Sequence, residues 1–251
     1  MQHFKNRYSD NNYYDTFSNI QQCLRLNDLD EISDGTHFLL FEMIGLFSFK
    51  QWSLEKSIHF MLEFLKRLNL YPDYVTIHPD KINEWRHIYD SLNIPIKEDK
   101  DCKWSDGDIG GYCTEFYIND VEIGNIVNTL EHSIDIGFGL ERLLHVSNSL
   151  KPKTKLEILE DTSLQLISEG VKVGHYRQEY VLKKLLNESV FLGSKRTEPE
   201  FLDIKNRLIG VYQRYLKSKT QRKLMNKSDE YWYTTLGFDM KRLHEYEKLM
   251  E

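Results

Sequence analysis

Gln21–Phe49 reads QQCLRLNDLDEISDGTHFLLFEMIGLFSF. It predicts strand, turn, strand: Cys23, Leu24 and Leu26 in a first arm, Phe38 to Phe49 as a long apolar second arm, and Asp34-Gly35 as a turn signal between them. Two polar side chains interrupt it. Arg25 sits in the first arm, and His37 lies four residues before Phe41. A guanidinium in an apolar strand is costly unless an anion meets it. Either Glu42 pairs with Arg25 across the hairpin or a bound anion does, and the hairpin alone leaves both open.

A second stretch, Ser133–Leu144, reads SIDIGFGLERLL. A short strand ends at Asp135, Gly137 and Gly139 follow, and a helix carrying Arg142 starts near Leu140. Glycine before a helix lets backbone approach a ligand closely.

Together the two stretches resemble motifs 2 and 3 of class II aminoacyl-tRNA synthetases. The wording is similar to that of the alanyl-tRNA synthetase catalytic domain. That family has Q-R-C-x-R followed by an N-D-L turn, H-x-x-F-F-E-M-L-G-N-F-S-F and D-T-G-M-G-L-E-R. This chain has QQCLRLNDLD, HFLLFEMIGLFSF and DIGFGLER. The resemblance implies an α+β fold: a class II synthetase-like antiparallel sheet flanked by helices, then a C-terminal helical subdomain. It also implies ATP and Mg²⁺. Arg25 and Arg142 match the catalytic, phosphate-neutralising arginines, His37 the residue meeting the outer phosphates, and Phe41 the adenine-stacking aromatic. Glu122 and Glu115 are the carboxylates expected at Mg²⁺, a hard cation that takes oxygen ligands. Asp135 and Asn125 match the residues holding the α-ammonium group. Trp104, Ile123 and Gly137 match the walls of a small amino-acid pocket. For Asp135 a helix N-terminal role is the alternative.

The 251 residues suffice for one large domain or a domain plus a helical appendage. A net charge of −6 argues against wholesale coating of nucleic acid. Cys23, Cys102 and Cys113 lack metal or disulfide spacing and read as reduced thiols of a cytoplasmic protein. No run approaches the ~20 apolar residues a membrane helix needs.

Outward from the hairpin, Asn11-Asn12 suggests a turn and Ser53 caps a helix with Ile58, Met61, Leu62, Leu65 and Leu68 on one face. Tyr74–His78 reads as a strand and Lys81–Leu92 as a helix. GGYCTEFYIND and VEIGNIVN follow as strands. Lys151-Pro152-Lys153 is the linker, which predicts a catalytic domain over 1–150 and a helical subdomain over 151–251. Helices are expected around Leu156–Ile167, over Tyr180–Leu192 and over Phe201–Lys223. Measured against the family, the chain begins late in the segment carrying motif 1 and lacks counterparts of the editing and C-terminal domains, so the oligomeric state stays open.

Departures from the family decide the expected acceptor. The motif 2 turn is shorter and lacks its lysine. Gly124 and Asn128 stand where the family has Trp and Phe. The family's S-N-E-x-R acceptor-stem segment is here GHYRQ, Gly174–Gln178, and its basic run becomes KKLLNE. Base readout needs specific donors and acceptors. A basic cluster persists at Arg214, Lys217, Lys219, Arg222, Lys223 and Lys227. The expected reaction is ATP-dependent activation of a small amino acid, alanine first, with transfer to a carrier-protein thiol or small-molecule amine ahead of tRNA. A minimal alanyl-tRNA synthetase and an inactive regulatory paralogue are the alternatives.

Overall fold

The computed structural model describes residues 5–10, 12–26, 29, 31–32, 34–107, 109–129, 132–220 and 226–251. Asn11, the Asn27-Asp28 part of the motif 2 turn, Asp108, Arg222 and Lys223 lie outside them. The chain divides into two compact units, Met1–Pro152 and Lys153–Glu251.

The first unit runs α1 (Lys5–Ser9), β1 (Asp15–Leu24), β2 (Leu40–Phe49), α2 (Leu54–Arg67), β3 (Tyr74–Ile77), α3 (Pro79–Ser91), β4 (Ile96–Glu98), β5 (Lys103–Asp106), β6 (Ile109–Ile118), β7 (Val121–Thr129), β8 (Ile134–Gly139) and α4 (Leu140–Val146). Among the described residues, one eight-stranded sheet has the order β1-β2-β8-β7-β6-β3-β4, with β5 paired to β6 beside that path. Every pair is antiparallel except β3–β4, which is parallel and joined through α3. The expected antiparallel sheet is therefore mixed at one edge, because a parallel pair requires a crossover and α3 supplies it.

Alternation gives the sheet two different faces. Ile44, Leu46, Phe116, Ile126, Ile136 and Phe138 pack against Ile58, Met61 and Leu65 of α2 and Trp85, Ile88 and Tyr89 of α3. Each fully buried aliphatic side chain there contributes about 1.5–3 kcal/mol. Ser53 caps α2 by accepting from Lys56 N at 3.2 Å. Helix α3 begins two residues before the expected start, with His78 as its cap and Pro79 in its first turn.

The first arm starts at Asp15 rather than near Gln21, and pairs with β2 over its whole length. Its outer residues are polar or exposed, Ile20 included, as befits an edge strand.

The second unit holds α5 (Lys155–Ser168), α6 (Arg177–Phe191), α7 (Pro199–Thr220), a short turn of helix α8 (Asp229–Tyr231) and α9 (Leu243–Lys248). Thr154 and Glu157 form a reciprocal capping box on α5. Tyr212, Tyr215, Trp232, Phe238 and Tyr246 make an aromatic core in this unit. No helix among the described residues is long and apolar enough to cross a membrane.

Candidate active site

The sheet face opposite α2 and α3 carries a cavity of about 340 Å³. The same two-residue period that buries Ile44 and Leu46 on one side brings Phe41, Met43, Gly45 and Phe47 of β2 to the other. Gln21, Cys23 and Arg25 join from β1 and its end, Asn125 and Val127 from β7, and Asp135, Gly137 and Gly139 from β8. Register sets the floor: Gly45 and Asn125 both lie opposite Gly137, and Phe47 lies opposite Asp135. A Cβ on Gly137 would come within 3.0 Å of Met43 Cε and 3.4 Å of Asn125 Oδ1. The missing side chain is what keeps this part of the floor open.

Arg142, on the first turn of α4, is fixed from three directions. Its Nε donates to Thr36 O at 3.1 Å, and its Nη1 donates to Glu122 O at 3.1 Å and to Glu122 Oε2 at 2.8 Å. The strand–glycine–helix sequence thus places a guanidinium on the cavity wall with an acidic residue of β7 beside it.

Asp135 faces the cavity but is otherwise ringed by protein, and burial pushes its carboxyl up to about 7. Buried Tyr8 stacks edge-on against Phe49, and its hydroxyl has no hydrogen-bond partner among the described residues. Burial and then the charge of Asp135 push that phenol well above its ordinary range.

Arg25 lies one residue beyond β1, and its N–H continues the ladder by donating to Leu39 O at 2.8 Å. The alternation puts Phe41 on the cavity face and the Glu42 side chain on the other, while the Glu42 backbone N donates to the carboxylate of Glu141, a cavity-lining residue, at 3.0 and 3.2 Å. The register thus separates Arg25 from the carboxylate that the hairpin alone allowed as its neutraliser.

Arg25, Phe41, Trp104, Glu122, Ile123, Asn125, Asp135, Gly137 and Arg142 all line this one cavity; His37 and Glu115 do not. His37 Nδ1 lies 2.5 Å from Asp34 Oδ2, and its Nε2 lies 3.3 Å from Glu31 Oε2. Burial works to raise the Asp34 carboxyl, but hydrogen bonds from Thr36 and His37 hold it well below the carboxylate range. Glu115 is opposite Asn125 in register, yet its Oε2 accepts from Thr76 Oγ1 at 3.1 Å and Tyr117 OH at 2.9 Å. Burial, then the charge of Glu122, raise its carboxyl. The two carboxylates expected at Mg²⁺ therefore do not share the cavity.

Ile123 departs from simple alternation. The register slips at Phe116/Tyr117, whose partners are Gly124 and Glu122, so Ile123 is the extra residue of a bulge. It is fully buried among the residues packed on α2 while also reaching the cavity wall. A Cβ on Gly124 would meet Gly137 O at 2.5 Å, then Phe138 and Met61. Ile123 and Gly124 are thus turned to the same side of the sheet instead of opposite sides, because the bulge resets the alternation.

Sequence reasoning missed Gln21, Cys23, Met43, Gly45 and Phe47. Counting back by twos from Arg25 and forward by twos from Phe41 finds all of them. Burial raises the Cys23 thiol and lifts Cys113 to about 12. Such thiols make poor nucleophiles.

A family model described as tRNA synthetases class II (A) matches residues 1–150. The alanine–tRNA ligase of Chlamydia caviae is 27% identical over 270 aligned positions, covering 76% of this chain and 31% of that protein. The alanine–tRNA ligase of Helicobacter pylori is 31% identical over 202, covering 59% of this chain and 24% of that one. The chain thus spans about a third or less of these relatives. Among solved structures, apo S. aureus histidyl-tRNA synthetase is similar at 13% identity and a TM-score of 0.36, over 78% of this chain and 66% of that one.

Proposed function

The chain belongs to the class II (A) tRNA synthetase family, and from that premise we propose that it activates alanine with ATP. A carboxylate oxygen of the amino acid attacks the α-phosphorus, the bond to the bridging oxygen breaks, and pyrophosphate leaves. Bringing two anions together is the main barrier, so fixed cations are the main catalytic need. What supports the reading is one observation: Arg25, Arg142, Asn125 and Asp135 line a single cavity.

Each residue then has a physical role. Arg25 bridges the substrate carboxylate and the α-phosphate. Arg142, with Nε and Nη1 engaged, offers its Nη2 hydrogens to a phosphate oxygen. Phe41 stacks on adenine. Asp135 and Asn125 take the α-ammonium, which supplies the positive charge a buried carboxylate lacks. Trp104, Ile123 and Gly137 bound the methyl group. Mg²⁺ would be held by the second carboxylate oxygen of Glu122 together with ATP phosphates, and it would neutralise phosphate charge. Glu115 lies outside the cavity lining, near enough to feel the charge of Glu122. His37 reaches outer phosphates once its Nε2 leaves Glu31.

For the acceptor we favour a carrier-protein thiol or a small amine in the cytoplasm, because Gly174–Gln178 lacks the family's acceptor-reading asparagine. The second reading, charging of tRNA, is supported by the relatives' names and by the basic balance of the helical unit. Amino-acid-dependent exchange of labelled pyrophosphate into ATP tests activation. Exchange with alanine supports it, and none with any standard amino acid points to an inactive binding module.

A further inference from the structure

We propose that the helical unit binds a phosphomonoester dianion in the cavity walled by residues 170–175, α6 and α7, with Lys183 and Arg207 as its cationic anchors. The cavity measures about 760 Å³ and lies wholly within Lys153–Glu251, a volume suited to a small ligand. Lys183 reaches it from α6 and Arg207 from α7, while Lys172 and His175 contribute from the connecting loop. Among the described residues, no ion pair joins Lys183 or Arg207 to a carboxylate. Their polar contacts are neutral: Arg207 Nη2 donates to Asn187 Oδ1, and Lys183 Nζ lies 3.4 Å from His175 Nδ1. Burial lowers the pKa of both cations, and the charge of Arg207 lowers that of Lys183 further. Two cations that share a cavity repel each other, and Lys183, half-buried there, has given up water without gaining an anion. An anion between them relieves both costs.

The rim selects the kind of anion. Glu200 and Asp203, from the start of α7, line the same cavity. A continuous phosphodiester strand would run its charges past these carboxylates, whereas one compact group need not. Two facing cations balance a charge of about −2, which a phosphomonoester carries near neutral pH and a diester does not. Charge along the chain agrees. Lys153–Glu251 has 19 Lys and Arg against 15 Asp and Glu, a net +4, while Met1–Pro152 has 14 against 24, a net −10. The site is separate from the adenylation cavity and does not depend on that reading.

Titration calorimetry on the full chain tests it, with inorganic phosphate, dimethyl phosphate and a short single-stranded RNA as probes. Phosphate should bind more tightly than the monoanionic diester and than the RNA. Lys183→Gln and Arg207→Gln should each weaken phosphate at least about tenfold, the loss matching one charge-assisted hydrogen bond. Lys184→Gln, a neighbour outside the cavity, should leave binding unchanged. Circular dichroism checks that each variant is folded. No phosphate binding, equal binding of the diester, tighter RNA binding lost in the same variants, or phosphate binding indifferent to both variants would each overturn the proposal.

Discussion

Arg142 Nη1 donates to both the backbone oxygen and the carboxylate of Glu122, at 3.1 and 2.8 Å. The two side chains are only 23% and 30% exposed. A guanidinium held this way is oriented before any ligand arrives, so little conformational entropy is lost when a phosphate meets it.

Arg142→Ala should therefore abolish pyrophosphate exchange, by ~10²–10³-fold or more, as removal of a preorganised donor does. Arg25→Ala should do the same, with a smaller effect on thermal stability. Arg142→Ala also leaves Glu122 without its cation, which costs about 1–3 kcal/mol. Both variants should still unfold cooperatively. Wild-type exchange in either one would remove that arginine from the site.

Asp135 should make amino-acid binding pH-dependent. Burial holds its carboxyl at about 7, above the ordinary value near 4. The folded protein then binds the proton more tightly than the unfolded chain. Across that interval the ligand-free protein should lose stability as pH rises. The affinity for alanine should rise over the same interval, because only the ionised carboxylate pairs with the ammonium group. In Asp135→Asn both dependences should flatten, and KM for alanine should rise by about tenfold or more. Urea midpoints and exchange kinetics measured between pH about 5 and 8 would show it; an unchanged pH profile in the variant would sink the assignment.

The parts of this site that can be read from sequence are those that break a local rule. Arg25 interrupts an apolar arm, and Gly137 and Gly139 precede a helix, so each stands out without a structure. Asp135 and Asn125 needed the family wording. What could not be read depends on pairing between distant segments. β1 reaches back to Asp15 because its exposed edge tolerates the polar DTFSNI sequence, which by itself looks like a loop. The bulge at Ile123 arises from register against β6 and has no residue signature in β7. The family wording places His37 at the outer phosphates, and only the structure shows that Asp34 and Glu31 engage both of its ring nitrogens.

The two glycines of the floor should respond differently to substitution. At Gly124 a Cβ meets a backbone oxygen at 2.5 Å, which cannot swing away. Gly124→Ala should cost about 1–3 kcal/mol, lowering Tm by roughly 2–4 °C for each kcal/mol. The family's Trp at this position should prevent folding here. At Gly137 the nearest atom is the mobile methyl of Met43, at 3.0 Å. Gly137→Ala should fold normally but shrink the pocket, so that exchange with alanine falls more than exchange with glycine. In the wild type, leucine and phenylalanine should be activated less efficiently than alanine. More efficient exchange with either would mean that the floor does not bound the substrate side chain.

Transfer to tRNA should be poor or absent even where the adenylate forms. Base-specific reading of an acceptor stem needs an amide or a similar paired donor and acceptor at a fixed position. In Gly174-His175-Tyr176-Arg177-Gln178 the asparagine's place is taken by His175 and the one amide, Gln178, lies three residues further on, while the basic run that follows is reduced to Lys183-Lys184 before Asn187 and Glu188. Arg242 Nη1 moreover pairs with Glu188, so that stretch of α6 carries a neutralised pair where the family has basic residues. The overall charge of −6 does not describe the helical unit, because the deficit lies in residues 1–152 and residues 153–251 are net positive. The expected behaviour is therefore weak, strongly salt-dependent RNA binding with little discrimination between tRNA species. A filter assay with total tRNA, radiolabelled alanine and low salt, run beside pyrophosphate exchange on the same preparation, separates the two steps. Exchange without acid-precipitable charging fits a different acceptor. Robust charging that survives moderate salt would make the chain a minimal tRNA ligase and end the carrier reading.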